Sequence, residues 1–374
     1  MRPIKILPLG VSGAGKSVYL ASLYQKLALP CGETCFSLRT DTRLAIDLGR
    51  VFTSISNPSA PWPPGTMGSQ FREYPFDCIV TTSDREHREF CLMKLLYLDF
   101  PGGCLTGETE DSRFPARFEQ TDAFLVLLDG VKILRALMGA PDSIPELSAD
   151  LSVMLNPLQN FIRKPVHFVV TKWDIIERQH SLGDVAELLG RIEPFSRTVE
   201  FRRKLGRATR LIPMSAVGAG FADLQSDGIM KKRENAIAKP FNVDLPISCL
   251  LFDLINEAKK NLEEVRNRNF FGRLLFKLIG SGRLLLSVSK MAVEIFPIPA
   301  GKAVIIPLLG LTLDELYDGT EKARRRLLQK YGDAIGKSSN EREAFSALSK
   351  YHAVEVLYMN RQYPASLLSE YTGS

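Results

Sequence analysis

The chain has 374 residues, 45% of them hydrophobic and 24% charged. That balance excludes extensive disorder and allows two or three modest domains. The formal charge of +6 is a mild basic excess, compatible with nucleic acid or anionic lipid and diagnostic of neither.

In chain order, Ile4 to Leu9 is a short apolar run ending at a glycine-rich turn. Ser17 to Leu29 follows as a helix with Leu20, Leu23, Tyr24 and Leu27 on one stripe. Residues 30–75 are expected to be irregular, because Pro58, Pro61, Pro63, Pro64 and Gly65 punctuate them. Phe76–Thr82 and Phe90–Phe100 look like a hairpin. Ala123–Asp129, Val166–Thr171 and Leu211–Met214 are further strands, with helices expected around 131–139, 146–162 and 183–205. This alternation predicts an α/β fold: a mostly parallel sheet with helices on both faces and one antiparallel hairpin strand at an edge. Pro246–Arg268 reads as a closing helix with proline at its first position. Composition then changes, which places a domain boundary near residue 268 and a mainly helical, apolar and basic region over 269–374. No internal repeat is apparent.

Gly10-Val11-Ser12-Gly13-Ala14-Gly15-Lys16-Ser17 matches G-x-x-x-x-G-K-[ST], between a strand and a helix. Such a loop turns backbone N–H groups inward around a β-phosphate, and the start of the helix adds positive potential. Lys16 is expected to reach the β- and γ-phosphates and the Ser17 hydroxyl to bind Mg²⁺. Gly10, Ser12, Gly13, Ala14, Gly15 and Val18 complete the cradle. The motif alone does not separate ATP from GTP.

Asp99-Phe100-Pro101-Gly102 ends an apolar strand. Asp99 is placed to hold a magnesium-bound water, and the Gly102 N–H to contact a γ-phosphate, with order lost on hydrolysis. A further threonine is needed on the metal. Thr66, in Trp62-Pro63-Pro64-Gly65-Thr66, is the first choice, with Thr40, Thr42 and Thr53 in competition. Thr171-Lys172-Trp173-Asp174 ends the next strand. There the Asp174 carboxylate can accept from guanine N1–H and N2–H₂, donors that adenine lacks, while the Lys172 stem lies over the base. Ser215-Ala216-Val217 follows the last strand, with the Ala216 N–H directed at guanine O6.

In this order, these elements resemble the P-loop GTPases of the TRAFAC class over residues 1–268. Thr171 stands where asparagine is commoner, and Val217 where lysine is usual. Gly15–Leu20, Trp62–Thr66 and Pro240-Phe241-Asn242-Val243-Asp244 are similar to the bacterial double-GTPase group of GTPase-associated defence systems. The resemblance implies GTP hydrolysis to GDP and phosphate with Mg²⁺, in a switch controlling a multi-protein assembly. A glutamine commonly follows Asp-x-x-Gly to orient water, and here Gly103 takes that place. Slow turnover without a partner is expected, with Glu108, Glu110 and Arg113 nearby.

Phe270–Ile279 is apolar and basic together, which suits an anionic membrane surface. Ile295–Leu313 is almost wholly apolar, but Pro297, Pro299 and Pro307 oppose a regular span. Packing on protein is preferred to lipid. Arg324-Arg325-Arg326 reads as a solvated helix face, and specific nucleic-acid binding is not expected. No Cys-x-x-Cys pair occurs among the six cysteines and no cleavable leader is expected, so the expectation is a cytoplasmic protein without structural zinc. The alternatives are a membrane-associated GTPase using 269–313, or a P-loop protein that uses ATP.

Overall fold

The computed structural model describes residues 2–29, 34–63, 71–107, 114–226, 228–255 and 321–369. The short run Ile4–Leu9 (β1) passes through a glycine loop into Lys16–Leu27 (α1). Next come Ser37–Arg39 (β2), Thr42–Ser56 (α2), Arg72–Thr81 (β3) and Glu89–Asp99 (β4). Short helices Gly103–Thr106 (α3) and Phe114–Gln120 (α4) lead to Ala123–Leu128 (β5), then Gly130–Leu137 (α5) and Ser143–Leu155 (α6). Val166–Val170 (β6), Trp173–Ile176 (α7), Leu182–Gly190 (α8), Glu193–Lys204 (α9) and Thr209–Pro213 (β7) continue the alternation. A small hairpin, Ala222–Leu224 (β8) with Met230–Lys232 (β9), precedes a helix over 245–255. The described C-terminal part holds Glu321–Gly336 (α10), Glu341–Gln362 (α11) and Leu367–Ser369 (β10).

Eight strands form one sheet in the order β10-β7-β6-β5-β1-β4-β3-β2. The β4, β1, β5, β6 and β7 strands are mutually parallel, and β3, β2 and β10 join antiparallel to their neighbours. Helices cover both faces. One buried core gathers α1, α10, α11 and the 245–255 helix, and the other gathers α5, α6, α8 and α9. The apolar runs of the central strands are buried on both faces, so β5 and β6 contain no exposed position.

Several expectations change. Residues 30–75 are not wholly irregular, because α2 and β2 lie within them. Asp41 caps α2 by accepting from the Leu44 N–H at 3.0 Å. The hairpin strand β3 starts at Arg72 and is covered by β2, so it is not the edge. Pro75 lies beyond the end of β2 pairing, which spans Ile79 to Asp77, where an open side tolerates a missing N–H. The single helix expected over 183–205 breaks between α8 and α9, with Pro194 in the first turn of α9. The boundary expected near 268 and the apolar stretches of 269–313 lie outside the described residues. Residues 321–369 share the α1 core and add the last strand of the sheet. Among the described residues, no helix is long and apolar enough to cross a membrane.

One buried polar network fixes this closure. The Arg210 guanidinium on β7 donates to both Asp253 carboxylate oxygens at 3.0 and 3.1 Å and to Asn360 of α11 at 3.1 Å. His167 Nε2 on β6 lies 3.1 Å from the same carboxylate. Burial alone raises a carboxyl, but the Arg210 charge and His167 outweigh it here and hold Asp253 at about 2. Asp253→Ala removes the carboxylate that meets the buried Arg210 guanidinium, and should cost ~3–5 kcal/mol. Glu89→Ala, which removes the exposed Arg39–Glu89 pair, should cost less than ~1 kcal/mol. Urea midpoints of the two variants measure the contrast.

Candidate functional site

The five parallel strands end at the same edge of the sheet, and the chain leaving β1, β4, β6 and β7 carries the four sequence motifs. Carboxyl-terminal crevices of this kind are where α/β sheets bind ligands. Gly15, at φ +88°, immediately precedes α1, a left-handed turn that a side chain would strain. The Ala14 N–H donates back to the Val11 carbonyl at 3.2 Å, which closes the loop. Lys16 is 7% exposed, and its ammonium donates to the Gly10 carbonyl at 2.5 Å and the Val11 carbonyl at 3.5 Å. It also lies 5.5 Å from the centre of the Phe100 ring. Burial lowers its pKa to about 8, opposed by the Asp99 carboxylate.

Asp99 closes β4 beside this loop, and the Ser17 hydroxyl donates to its Oδ2 at 3.4 Å. Gly102 lies so close to the loop that an added Cβ would sit 2.5 Å from the Ser12 nitrogen and 2.7 Å from the Val11 carbonyl carbon. A hydroxyl and a buried carboxylate at this separation suit a hard divalent cation that keeps water and phosphate oxygens as its other ligands. Among the described residues, no group of three or more His, Cys, Asp or Glu side chains could hold a metal by itself. Thr66 lies outside the described residues, as do Glu108, Glu110 and Arg113. Of its competitors, Thr53 donates to the Gly49 carbonyl within α2 at 2.9 Å, and Thr42 begins that helix. Gly103 begins α3.

On the other side of β1, the Thr171 hydroxyl donates to the Leu128 carbonyl at 3.0 Å. Lys172 adopts φ +52°, and its ammonium reaches the Asp129 carboxylate at 2.7 Å and the Gly13 carbonyl at 3.1 Å. Asp174 is 2% exposed. Burial pushes its carboxyl above the ordinary range, and a hydrogen bond from the Ser215 hydroxyl acts against that shift. Its Oδ2 is buried without a hydrogen-bond partner among the described residues. A half-satisfied buried carboxylate is costly unless a ligand supplies donors. The N1–H and N2–H₂ edge of guanine has that chemistry.

The Ser215 hydroxyl accepts from the Gly218 N–H at 2.8 Å, and the Ala216 carbonyl accepts from Ser22 of α1 at 2.9 Å. Val217 does not stand as a lysine would. It is buried beside Ala21, Ile55 and Phe221, with Val18 and Trp62 at the rim. The structure thus ties the Gly10–Ser17 loop to Asp99 through Ser17, to Gly102 by close approach at Ser12 and to Lys172 through Gly13, while Val18 and Val217 pack in a separate apolar cluster.

Asp129 escaped the sequence reading as a site residue, and Trp62 was named there only as part of its motif. Asp129 anchors Lys172 and caps α5 by accepting from the Val131 N–H at 2.9 Å. Its signal was the Asp-Gly pair ending β5. Trp62 donates its indole N–H to the Met230 carbonyl at 2.6 Å, and the Lys232 ammonium lies 4.7 Å from its ring centre. No local pattern links residues so far apart.

No family model matches the chain, and no curated protein matches it. One similar solved structure is the signal recognition particle receptor SRb-GTP/SRX complex from Chaetomium thermophilum. A chain of that complex is 16% identical, with a TM-score of 0.35, over 59% of this chain and 94% of that one.

The Lys16 geometry predicts a pH dependence. An anionic ligand favours the charged ammonium, whose pKa without ligand is about 8. Affinity for a nucleoside diphosphate should therefore be full below pH 8 and fall as pH rises through it, by up to ~10-fold per unit. Calorimetric titration between pH 7 and 9 measures this slope. Lys16→Met should bind weakly, with the slope removed.

Proposed function

We propose that this chain is a guanine-nucleotide-binding switch that hydrolyses GTP to GDP and phosphate with Mg²⁺. The observation that carries the reading is the buried Asp174 carboxylate with an unsatisfied oxygen. Through Lys172 its strand end is tied to the Gly10–Ser17 loop. A base reader and a phosphate cradle are thereby held together.

In this reading, the amides of Gly13, Ala14, Gly15, Lys16 and Ser17 surround the phosphates, and Val18 lines the sugar side. Lys16 moves from the loop carbonyls to the β- and γ-phosphates, so its charge meets the charge that develops there. Ser17, Asp99 and Thr66 would hold Mg²⁺, directly or through water. The ion would supply positive charge against the phosphate charge. The Gly102 N–H contacts the γ-phosphate. Asp174 accepts from guanine, Lys172 covers the base, and the Ser215–Val217 turn presents the Ala216 N–H to O6. Adenine would leave Asp174 unpaired and set its amino group against that N–H, so ATP is disfavoured.

Gly103 has no side chain with which to orient water. Intrinsic turnover is therefore slow, and a protein partner completes the site. The resemblance to the double-GTPase group supports a role within a multi-protein assembly. Phosphate release by the purified chain with Mg²⁺ tests this. GTP should turn over at about 10⁻⁴ to 10⁻² s⁻¹, ATP should not turn over detectably, and Lys16→Ala should abolish the activity. Equal turnover of ATP and GTP would refute guanine selection. Unaided GTP turnover above ~1 s⁻¹ would refute the need for a partner.

A further inference from the structure

The strand that delivers Asp99 is held at its opposite end by the C-terminal helices. β3 and β4 pair over ten register positions, Arg72↔Asp99 to Thr81↔Glu89. The β4–β1 ladder has only three, from Ile4↔Leu95 to Ile6↔Tyr97. The β3–β4 hairpin is thus more firmly bonded within itself than to the rest of the sheet.

The far turn of that unit, residues 82–88, is seated on the α10–α11 connection. The Ser83 N–H donates to the Gly336 carbonyl at 2.8 Å, and Arg88 Nη1 donates to the Ser339 carbonyl at 3.1 Å. The fit is close: a Cβ on Gly336 would lie 2.2 Å from Ser83 Oγ. The same helices grip the body of the domain. Phe36, just before β2, packs edge-on against His352 and Tyr351 at 5.3 and 6.4 Å between ring centres. Arg324 of α10 donates to both oxygens of the buried Glu355 carboxylate of α11 at 2.8 and 2.9 Å. Beside them the Lys26–Asp244 pair, at 2.9 Å, joins α1 to the chain entering the 245–255 helix. α11 then reaches the opposite edge of the sheet through Asn360 and Arg210.

We infer that α10 and α11 form a built-in clamp whose grip on the β3–β4 turn opposes GTP more than GDP. The inference rests on the guanine-nucleotide reading of the site. With the clamp seated, Gly102 stands against the Ser12 amide and Lys16 is bound to the loop carbonyls. The chain itself thus fills the places a terminal phosphate needs. GTP requires Gly102 to withdraw at the end of β4, whereas GDP does not. Because β3 and β4 are bonded along their length, that withdrawal displaces the 82–88 turn from Gly336 and Ser339. Coupling between two such sites is reciprocal, so loosening the turn must favour GTP.

The test uses the full chain and two variants outside the nucleotide crevice, Arg88→Ala and Gly336→Val. Affinities for GDP and for a slowly hydrolysed GTP analogue are measured for each, together with hydrogen exchange in α10 and α11. Each variant should shift the affinity ratio toward the GTP analogue by ~5-fold or more. In the native chain, exchange from α10 and α11 should be faster with the analogue than with GDP. If Gly336→Val does not fold, Arg88→Ala, at an exposed side chain, decides alone. An unchanged ratio, or a shift toward GDP, overturns the clamp while leaving nucleotide binding intact. Failure of the native chain to bind either nucleotide overturns the reading of the site, and the clamp with it.

Discussion

The Lys172 ammonium lies between the Asp129 carboxylate and the Gly13 carbonyl, and three loops take their relative positions from it. Asp129 leaves β5, Gly13 belongs to the loop after β1, and Lys172 itself follows β6. The sheet brings these strand ends side by side, but hydrogen bonding along strands does not fix how the loops beyond them tilt. A charge-assisted bond at 2.7 Å and a second donor contact at 3.1 Å supply that constraint. Thr171 and Ser215 continue it, one bonded to β5 and the other to Asp174. These bonds fix the Gly13, Asp129 and Lys172 loops relative to one another, whereas Lys16 and Gly102 are held against the chain itself.

The helices behind the sheet serve the same end with different chemistry. Most of both cores is apolar, as expected for a parallel sheet covered on two faces. Charge is buried where distant parts of the chain must meet in one register: Arg210 with Asp253 and Asn360, Arg324 with Glu355, and Lys26 with Asp244. Such pairs add little net stability over apolar packing, but a displaced partner is strongly penalised. Asn360 and Glu355 tie α11 to β7 and α10, and Lys26–Asp244 ties α1 to the chain entering the 245–255 helix. Burial pushes the Glu355 carboxyl up to about 7 against the pull of Arg324, which marks this junction as the more finely balanced of the networks.

Motifs governed by local chemistry were legible in the sequence. A glycine loop between strand and helix has few other uses, and Asp99 stands out because it ends an apolar strand, while Asp174 follows the β6 run by four residues, inside α7. What was missed depended on partners distant in sequence. Leu44, Leu48, Val51, Phe52 and Ile55 recur at helical spacing in α2, but the prolines that follow dominated the reading of 30–75. β2 and β10 are three residues each, too short for any period to show. Asp129 looked like the end of a strand, and only the fold reveals Lys172 beside it. Val217 gave no local sign that it packs beside Phe221 and Ile55. The charged helices near the C-terminus were read correctly as helical, but nothing local indicated that they lie on α1 and extend the sheet.

The central claim is that Asp174 selects guanine, and a change of base partner tests it most directly. Asn in its place offers a carbonyl and an amide, which match the altered edge of xanthine and no longer match guanine. Equilibrium affinities for GDP, xanthosine diphosphate and ADP are compared in the native chain and in Asp174→Asn. The account predicts that the native chain prefers GDP by ~100-fold or more over both others, and that the variant prefers xanthosine diphosphate. If ADP binds the native chain as tightly as GDP, or if the substitution leaves the order of preference unchanged, Asp174 does not read the base and the account fails.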